Sequence, residues 1–143
     1  FSTEYSLCCR EHETKIRSLI NEHNLTFISW GSLGEGILSG IYGKDSVFPD
    51  TDRRSRLEYK NFHGDKFLQN LEIVKIMKVI SEENGKPLPQ IAIRWILDNI
   101  QSNTTVLLGV KRPSDIERVL GTFEWKLTQE QLQKLNSVSE YHK

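Results

Sequence analysis

The sequence predicts an α/β chain with parallel strands, on three observations. Segments of alternating and of helical apolar spacing follow one another as strand, helix, strand, long loop, two helices, strand, helix, helix. Successive strands are separated by helices, and a helical crossover brings the chain back to the same end of a sheet, so neighbours pair in parallel. The three strands are too few for a parallel sheet that stands alone: a doubly wound sheet takes five or more, and a closed barrel takes eight in about 250 residues. The 143 residues therefore read as the tail end of something larger.

Each element has its own signal. Residues 1–7 alternate Phe1, Thr3, Tyr5 and Leu7 against Ser2, Glu4 and Ser6, the period of a strand. Residues 13–22 place Ile16, Leu19 and Ile20 on one helical face, and residues 25–30 form a second strand. Residues 31–66 are rich in Gly, Asp and Ser and hold no sustained period, which marks a functional loop within a single domain spanning 1–143. Phe67, Leu71, Val74, Met77 and Ile80 restore helical spacing until Asn84-Gly85 stops it. A helix then starts near Pro89 with Ile91, Ala92, Trp95 and Ile96. A third strand occupies residues 104–108, and Pro113 opens a helix running to about Gly121. Thr128 with Gln131 makes a capping box for the last helix, through Leu132 and Leu135.

Composition excludes several classes of function. Hydrophobic residues make up 37% and charged residues 27%, ordinary usage for a packed domain. Apolar runs such as Ile91-Ala92-Ile93 are far shorter than the about 20 residues of a membrane span. Nineteen basic against 19 acidic residues leave no overall field to attract nucleic acid or an anionic membrane, and the basic run Arg53-Arg54-Ser55-Arg56 reads as a solvated loop. Cys8 and Cys9 are adjacent and poorly placed for a disulfide, which suits a reducing, cytoplasmic setting.

Two phosphate-binding motifs fail on spacing. Gly34-Glu35-Gly36-Ile37-Leu38-Ser39-Gly40 runs GxGxxxG, one residue too long for a dinucleotide fingerprint. Gly43-Lys44 lacks the leading glycine and the Ser or Thr of a P-loop, since Leu38 and Asp45 stand there. His12, His23, His63 and His142 have no ligand spacing to one another or to cysteine, so no metal site emerges.

The same glycine loop matches another pattern. The run Phe27-Ile28-Ser29-Trp30-Gly31-Ser32-Leu33-Gly34-Glu35-Gly36-Ile37-Leu38-Ser39-Gly40-Ile41-Tyr42 resembles the aldo-keto reductase segment in which an aromatic residue precedes a Ser-Pro-Leu-like turn, a glycine and a Leu-Thr-Gly-Lys-Tyr-like run. Glu4-Tyr5-Ser6-Leu7, with Arg10 and Glu13, resembles the strand before it, and Gln90-Ile91-Ala92-Ile93-Arg94-Trp95 the family's Gln-x-Ala-x-x-Trp helix. Val106-Leu107-Leu108-Gly109 followed by Lys111-Arg112 is similar to its last strand and cofactor loop. The matches run in order along the whole chain, and Trp30 with residues 106–109 leans toward the branch containing potassium-channel β subunits.

The resemblance implies the C-terminal part of a (β/α)8 TIM barrel and an NADPH-dependent oxidoreductase that reduces an aldehyde or ketone. It implies that Trp30 stacks on the nicotinamide, that Gly31, Leu33, Gly34 and Gly36 lie along the pyrophosphate, and that Gly109, Lys111, Arg112 and Asp115 surround the adenosine end, the two basic residues meeting its 2′-phosphate. The family's carboxamide-gripping Gln aligns with Ser2, and its adenine-contacting Asn with Val119. Its catalytic Asp, Tyr, Lys and His all belong to the first half of the barrel, so no catalytic residue is assigned here and the partner is that half or a second copy. A regulatory, nucleotide-binding subunit of the same fold is the alternative. Phe48, Tyr59, Phe62 and His63 are candidates for lining a substrate site, and Asp52 with Arg53 or Arg54 for a lid.

Overall fold

The computed structural model describes residues 1–101 and 103–143. Its strands are β1 (Ser2–Glu4), β2 (Phe27–Trp30) and β3 (Thr104–Val106); its helices are α1 (Glu13–His23), α2 (Gly64–Asn84), α3 (Leu88–Ile100), α4 (Pro113–Leu120) and α5 (Gln129–Val138). The sheet has the order β1-β2-β3 with both pairs parallel, as the alternation of strands and helices requires. Glu4 pairs with Trp30 and Ser29 with Val106, so all three strands end along one edge.

The core lies between the sheet and α2, α3 and α5, with Tyr5, Phe27, Ile37, Leu38, Met77, Trp95 and Leu135 completely buried. Tyr5 stacks on Trp95 at 5.2 Å between ring centroids. Arg10 lies over the same indole at 5.2 Å and is almost wholly buried. A charge can be kept there only if it is fully bonded. Its Nε donates to Glu13 Oε2 at 2.8 Å and its Nη1 to the carbonyl of Asn136 at 2.9 Å and to Ser139 Oγ at 2.7 Å. Arg10 thereby joins the turn after β1 to the end of α5.

Three sequence expectations need correction. The first strand does not reach residue 7: Ser6 and Cys9 exchange backbone hydrogen bonds at 3.0 Å, and this tight turn buries Tyr5, Ser6, Leu7 and Cys8 together instead of alternating them. The loop 31–66 contains three short 3-10 helices, Gly34–Ser39, Arg53–Ser55 and Lys60–Phe62, and α2 begins before it ends. Arg54 is not simply solvated, because its guanidinium lies 4.9 Å from the centroid of Tyr42, 5.6 Å from Phe48 and 5.9 Å from Phe62. These rings pack on one another, and through Phe62 they anchor a loop without periodicity to the main core.

Candidate functional site

The C-terminal ends of β2 and β3 open onto a cleft of about 100 Å³ lined by Leu33, Ser39, Pro89, Leu108, Gly109, Val110, Asp115, Arg118 and Val119. Its walls come from the turn after β2, the start of α3, the segment after β3 and one face of α4. Two buried serines set the positions of these walls. Ser29 Oγ donates to the carbonyl of Tyr5 at 2.8 Å and lies 3.1 Å from Ser32 Oγ, which reaches the carbonyl of Leu107 at 3.2 Å. Hydroxyls thus tie the ends of all three strands where the ladder bonds run out.

The structure brings Leu33, Gly109 and Asp115 of the sequence-selected residues into that cleft. Trp30 stands at the end of β2, 45% exposed, so one large apolar face is available to a ligand. Gly31 (φ 65°) lets Glu4 fold across it, since a Cβ there would lie 3.0 Å from Glu4 Cγ. Burial, and then the nearby Glu35 carboxylate, raise the Glu4 pKa. Gly34 is buried against Cys8. Gly36 is half-buried near Tyr42. A Cβ at Gly109 would meet nothing, so that backbone is open to close approach.

Lys111 and Arg112 are exposed at the start of α4. Asp115 accepts hydrogen bonds on Oδ2 from the backbone N–H of Lys111 at 3.2 Å and of Arg112 at 3.1 Å, which caps the helix. Those bonds, the one from Lys111 first, lower the Asp115 pKa, and Arg112 Nη2 adds a contact at 3.4 Å. Arg118 also lines the cleft and was missed by sequence reasoning; its signal was the three-residue spacing from Asp115, which puts both on one helical face.

The remaining candidates fall elsewhere. Phe62 and Phe48 belong to the aromatic cluster under Arg54, Tyr59 packs against the core, and His63 Nε2 bonds the carbonyl of Arg56 at 2.9 Å. Asp52 pairs with Arg54 at 2.8 Å inside its own loop. Cys8 and Cys9 are free thiols. Burial raises both pKa values, that of Cys9 to about 11, so neither is an activated thiolate. Among the described residues no three of His, Cys, Asp and Glu converge to hold a metal, and no helix is long and apolar enough to cross a membrane.

A family model described as the aldo/keto reductase family matches residues 1–140. The chain belongs to that family. A probable voltage-gated potassium channel subunit beta of Arabidopsis thaliana is 31% identical over 116 residues, covering 80% of this chain and 35% of its own length. The aldo-keto reductase yakc [NADP(+)] of Schizosaccharomyces pombe is 29% identical over 125 residues, covering 87% of this chain and 36% of its own. Among solved structures, the glycerol dehydrogenase AKR11B4 from Gluconobacter oxydans superposes with a TM-score of 0.85 at 28% identity, over 99% of this chain and 42% of that one. The chain thus spans about two fifths or less of the length of these relatives. The superposition accounts for the three parallel strands as part of a TIM barrel.

Proposed function

We propose that this chain forms the cofactor end of an NADP-dependent oxidoreductase that reduces aldehydes or ketones, with the catalytic groups supplied by other parts of a barrel. The observation that carries this reading is the exposed face of Trp30 at the end of β2, three residues before Leu33 of the cleft. The residues fit the cofactor: Trp30 offers a flat apolar surface for a nicotinamide, Gly109 open backbone, and Leu33, Leu108 and Val119 an apolar slot for a purine. Lys111, Arg112 and Arg118 supply positive charge around that slot. When bound, NADPH would supply a hydride. The chain's own residues would grip the two ends of the cofactor and keep water from the Trp30 face.

The similarity to yakc, which carries NADP(+) in its name, supports the cofactor, and the free cysteines suit a reducing compartment such as the cytosol. The similarity to a potassium channel β subunit favours a second reading, in which the same fold and nucleotide serve a regulatory complex. Titration of the intact protein with NADPH tests the first reading. Saturable quenching of tryptophan fluorescence is expected, and Trp30→Leu should abolish most of it, because Trp95 is buried in the core and Trp125 is half-buried with its Nε1 bonded to Gln90. Binding without turnover of any small carbonyl compound would favour the regulatory reading. Absence of binding by the folded protein would remove both.

A further inference from the structure

We propose that Ser55 is a phosphorylation site, and that a phosphoryl group there releases the latch by which Arg54 holds its loop to the core. The run Arg53-Arg54-Ser55-Arg56 sets one hydroxyl among three guanidinium groups, a charge pattern that an acidic kinase cleft selects. Arg53, Arg56 and Leu57 are exposed, and Ser55 is half-buried between them. The backbone N–H groups of Asp52, Ser55 and Arg56 bond to the carbonyls of Pro49, Asp52 and Arg53, all within the loop. A kinase can therefore draw this segment out without breaking a backbone bond to any strand or α-helix.

The side chain that ties the segment inward is Arg54. Its guanidinium caps the rings of Tyr42, Phe48 and Phe62, and Phe62 belongs to the main core. Asp52 Oδ1 accepts from Arg54 Nε at 2.8 Å and from the Arg54 N–H at 3.0 Å, which aims the side chain at the rings. Ser55 Oγ donates to the Asp52 carbonyl at 2.7 Å and so holds Asp52 from the other side. The two Nη groups of Arg54 have no hydrogen-bond or ion-pair partner among the described residues.

Phosphorylation acts on each part of that latch. Ser55 Oγ forms a bond to the γ-phosphorus of ATP, the bond from that phosphorus to the bridging oxygen breaks, ADP leaves with the electron pair, and the hydroxyl proton passes to a base of the kinase. The donor to the Asp52 carbonyl is thereby lost. A group carrying about two negative charges at pH 7 then stands three residues from the Asp52 carboxylate and repels it. The free Nη groups of Arg54 gain a bidentate partner, whereas a partly exposed cation–π contact attracts them more weakly. Arg54 exchanges the rings for the phosphate, and the loop parts from Phe62.

The test incubates the intact protein with ATP and a serine/threonine kinase that prefers basic substrates, and locates the phosphate by mass spectrometry. Chymotrypsin then reads the loop by its rate of cleavage after Tyr42 and Phe62, with folding of each sample checked by circular dichroism. Ser55 is expected to be labelled about tenfold faster than any other Ser or Thr, and the phosphorylated protein to be cut about tenfold faster than the unmodified one, since cleavage follows the open population. Unmodified Arg54→Ala should be cut at that faster rate, with phosphorylation adding less than about twofold, and Ser55→Ala should stay within about twofold of the unmodified protein. The site is overturned if Ser55 of the folded protein stays unlabelled while a peptide of residues 49–60 is labelled. The latch is overturned if the phosphorylated protein is cut at the unmodified rate. It is also overturned if Ser55→Ala alone is cut as fast as the phosphorylated protein, which would credit the lost hydroxyl bond and not the phosphate.

Discussion

Gly34 and Gly109 look alike in the sequence, yet the structure gives them opposite surroundings. Gly34 has φ 55°, and a Cβ there would lie 2.9 Å from Ile37 Cγ2 and 3.0 Å from Cys8 Sγ, whereas at Gly109 it would meet nothing. Gly34→Ala is therefore expected to lower stability by about 1–3 kcal/mol, from backbone strain plus overpacking, as read by urea denaturation. Gly109→Ala should leave the urea midpoint in place and weaken NADPH binding, because only a ligand would feel the new methyl. If Gly109→Ala unfolds the protein and spares binding, the cleft has been misread. The sequence identified both as loop glycines, since glycine patterns are visible without coordinates, but Cys8 lies 26 positions from Gly34 and its contact is a product of folding. The same holds for Arg54 above its three rings and for the pair Ser29 and Ser32: a lone Arg or Ser carries no periodic signal, and its partners are chosen by the fold.

Helices were more legible than strands, because ten or more residues of apolar spacing and a cap are a stronger signal than three or four. The capping box at the start of α5 is an instance: Gln131 N–H donates to Thr128 Oγ1 at 3.2 Å, and Thr128 N–H to Gln131 Oε1 at 3.1 Å. Thr128→Ala should cost about 1 kcal/mol, measured by thermal or urea unfolding. Beyond α5 the chain makes one more turn, Glu140–His142, which the sequence pattern did not mark. The His142 carbonyl accepts from the Arg10 N–H at 2.7 Å, so this turn docks beside the buried arginine. Burial, then the positive charges of Lys66 and Arg10, lower the His142 pKa to about 4. The neutral imidazole is the folded form, and the unfolded chain titrates at about 6.5. The stability gained from His142 is then fully present above about pH 6.5 and is lost progressively as pH falls toward 4. Unfolding midpoints should fall between pH 7 and 5, and His142→Asn should flatten that interval. An equally steep profile in the variant would assign the effect to other groups.

The three strands form a sheet with two open edges, since β1 and β3 each pair only with β2 among the described residues. Helix α4, packed against α3, is also uncovered on one face. Ile116, Leu120 and Phe123 follow helical spacing along α4 and the turn after it, with Leu120 65% and Phe123 78% exposed, and α4 buries no residue. The pattern on α4 was readable in the sequence as an amphipathic helix, but a period shows only that a face is apolar and not what covers it. An apolar stripe and an unpaired parallel edge are each surfaces that associate, because burying the first removes hydrocarbon from water and pairing the second satisfies backbone donors and acceptors. Prepared alone, the 143-residue chain is expected to self-associate with rising concentration in sedimentation or light scattering and to bind an apolar dye. The double variant Leu120→Lys with Phe123→Ser should shift that association to higher concentration without loss of helical circular dichroism, since neither side chain contributes to the core. Unchanged association in the variant would put the sticky surface on the strand edges. Ser2→Pro would then be the substitution expected to relieve it, because Phe1 and Tyr5 carry the bonds to β2 and the alternation of the strand turns the Ser2 N–H to the open edge.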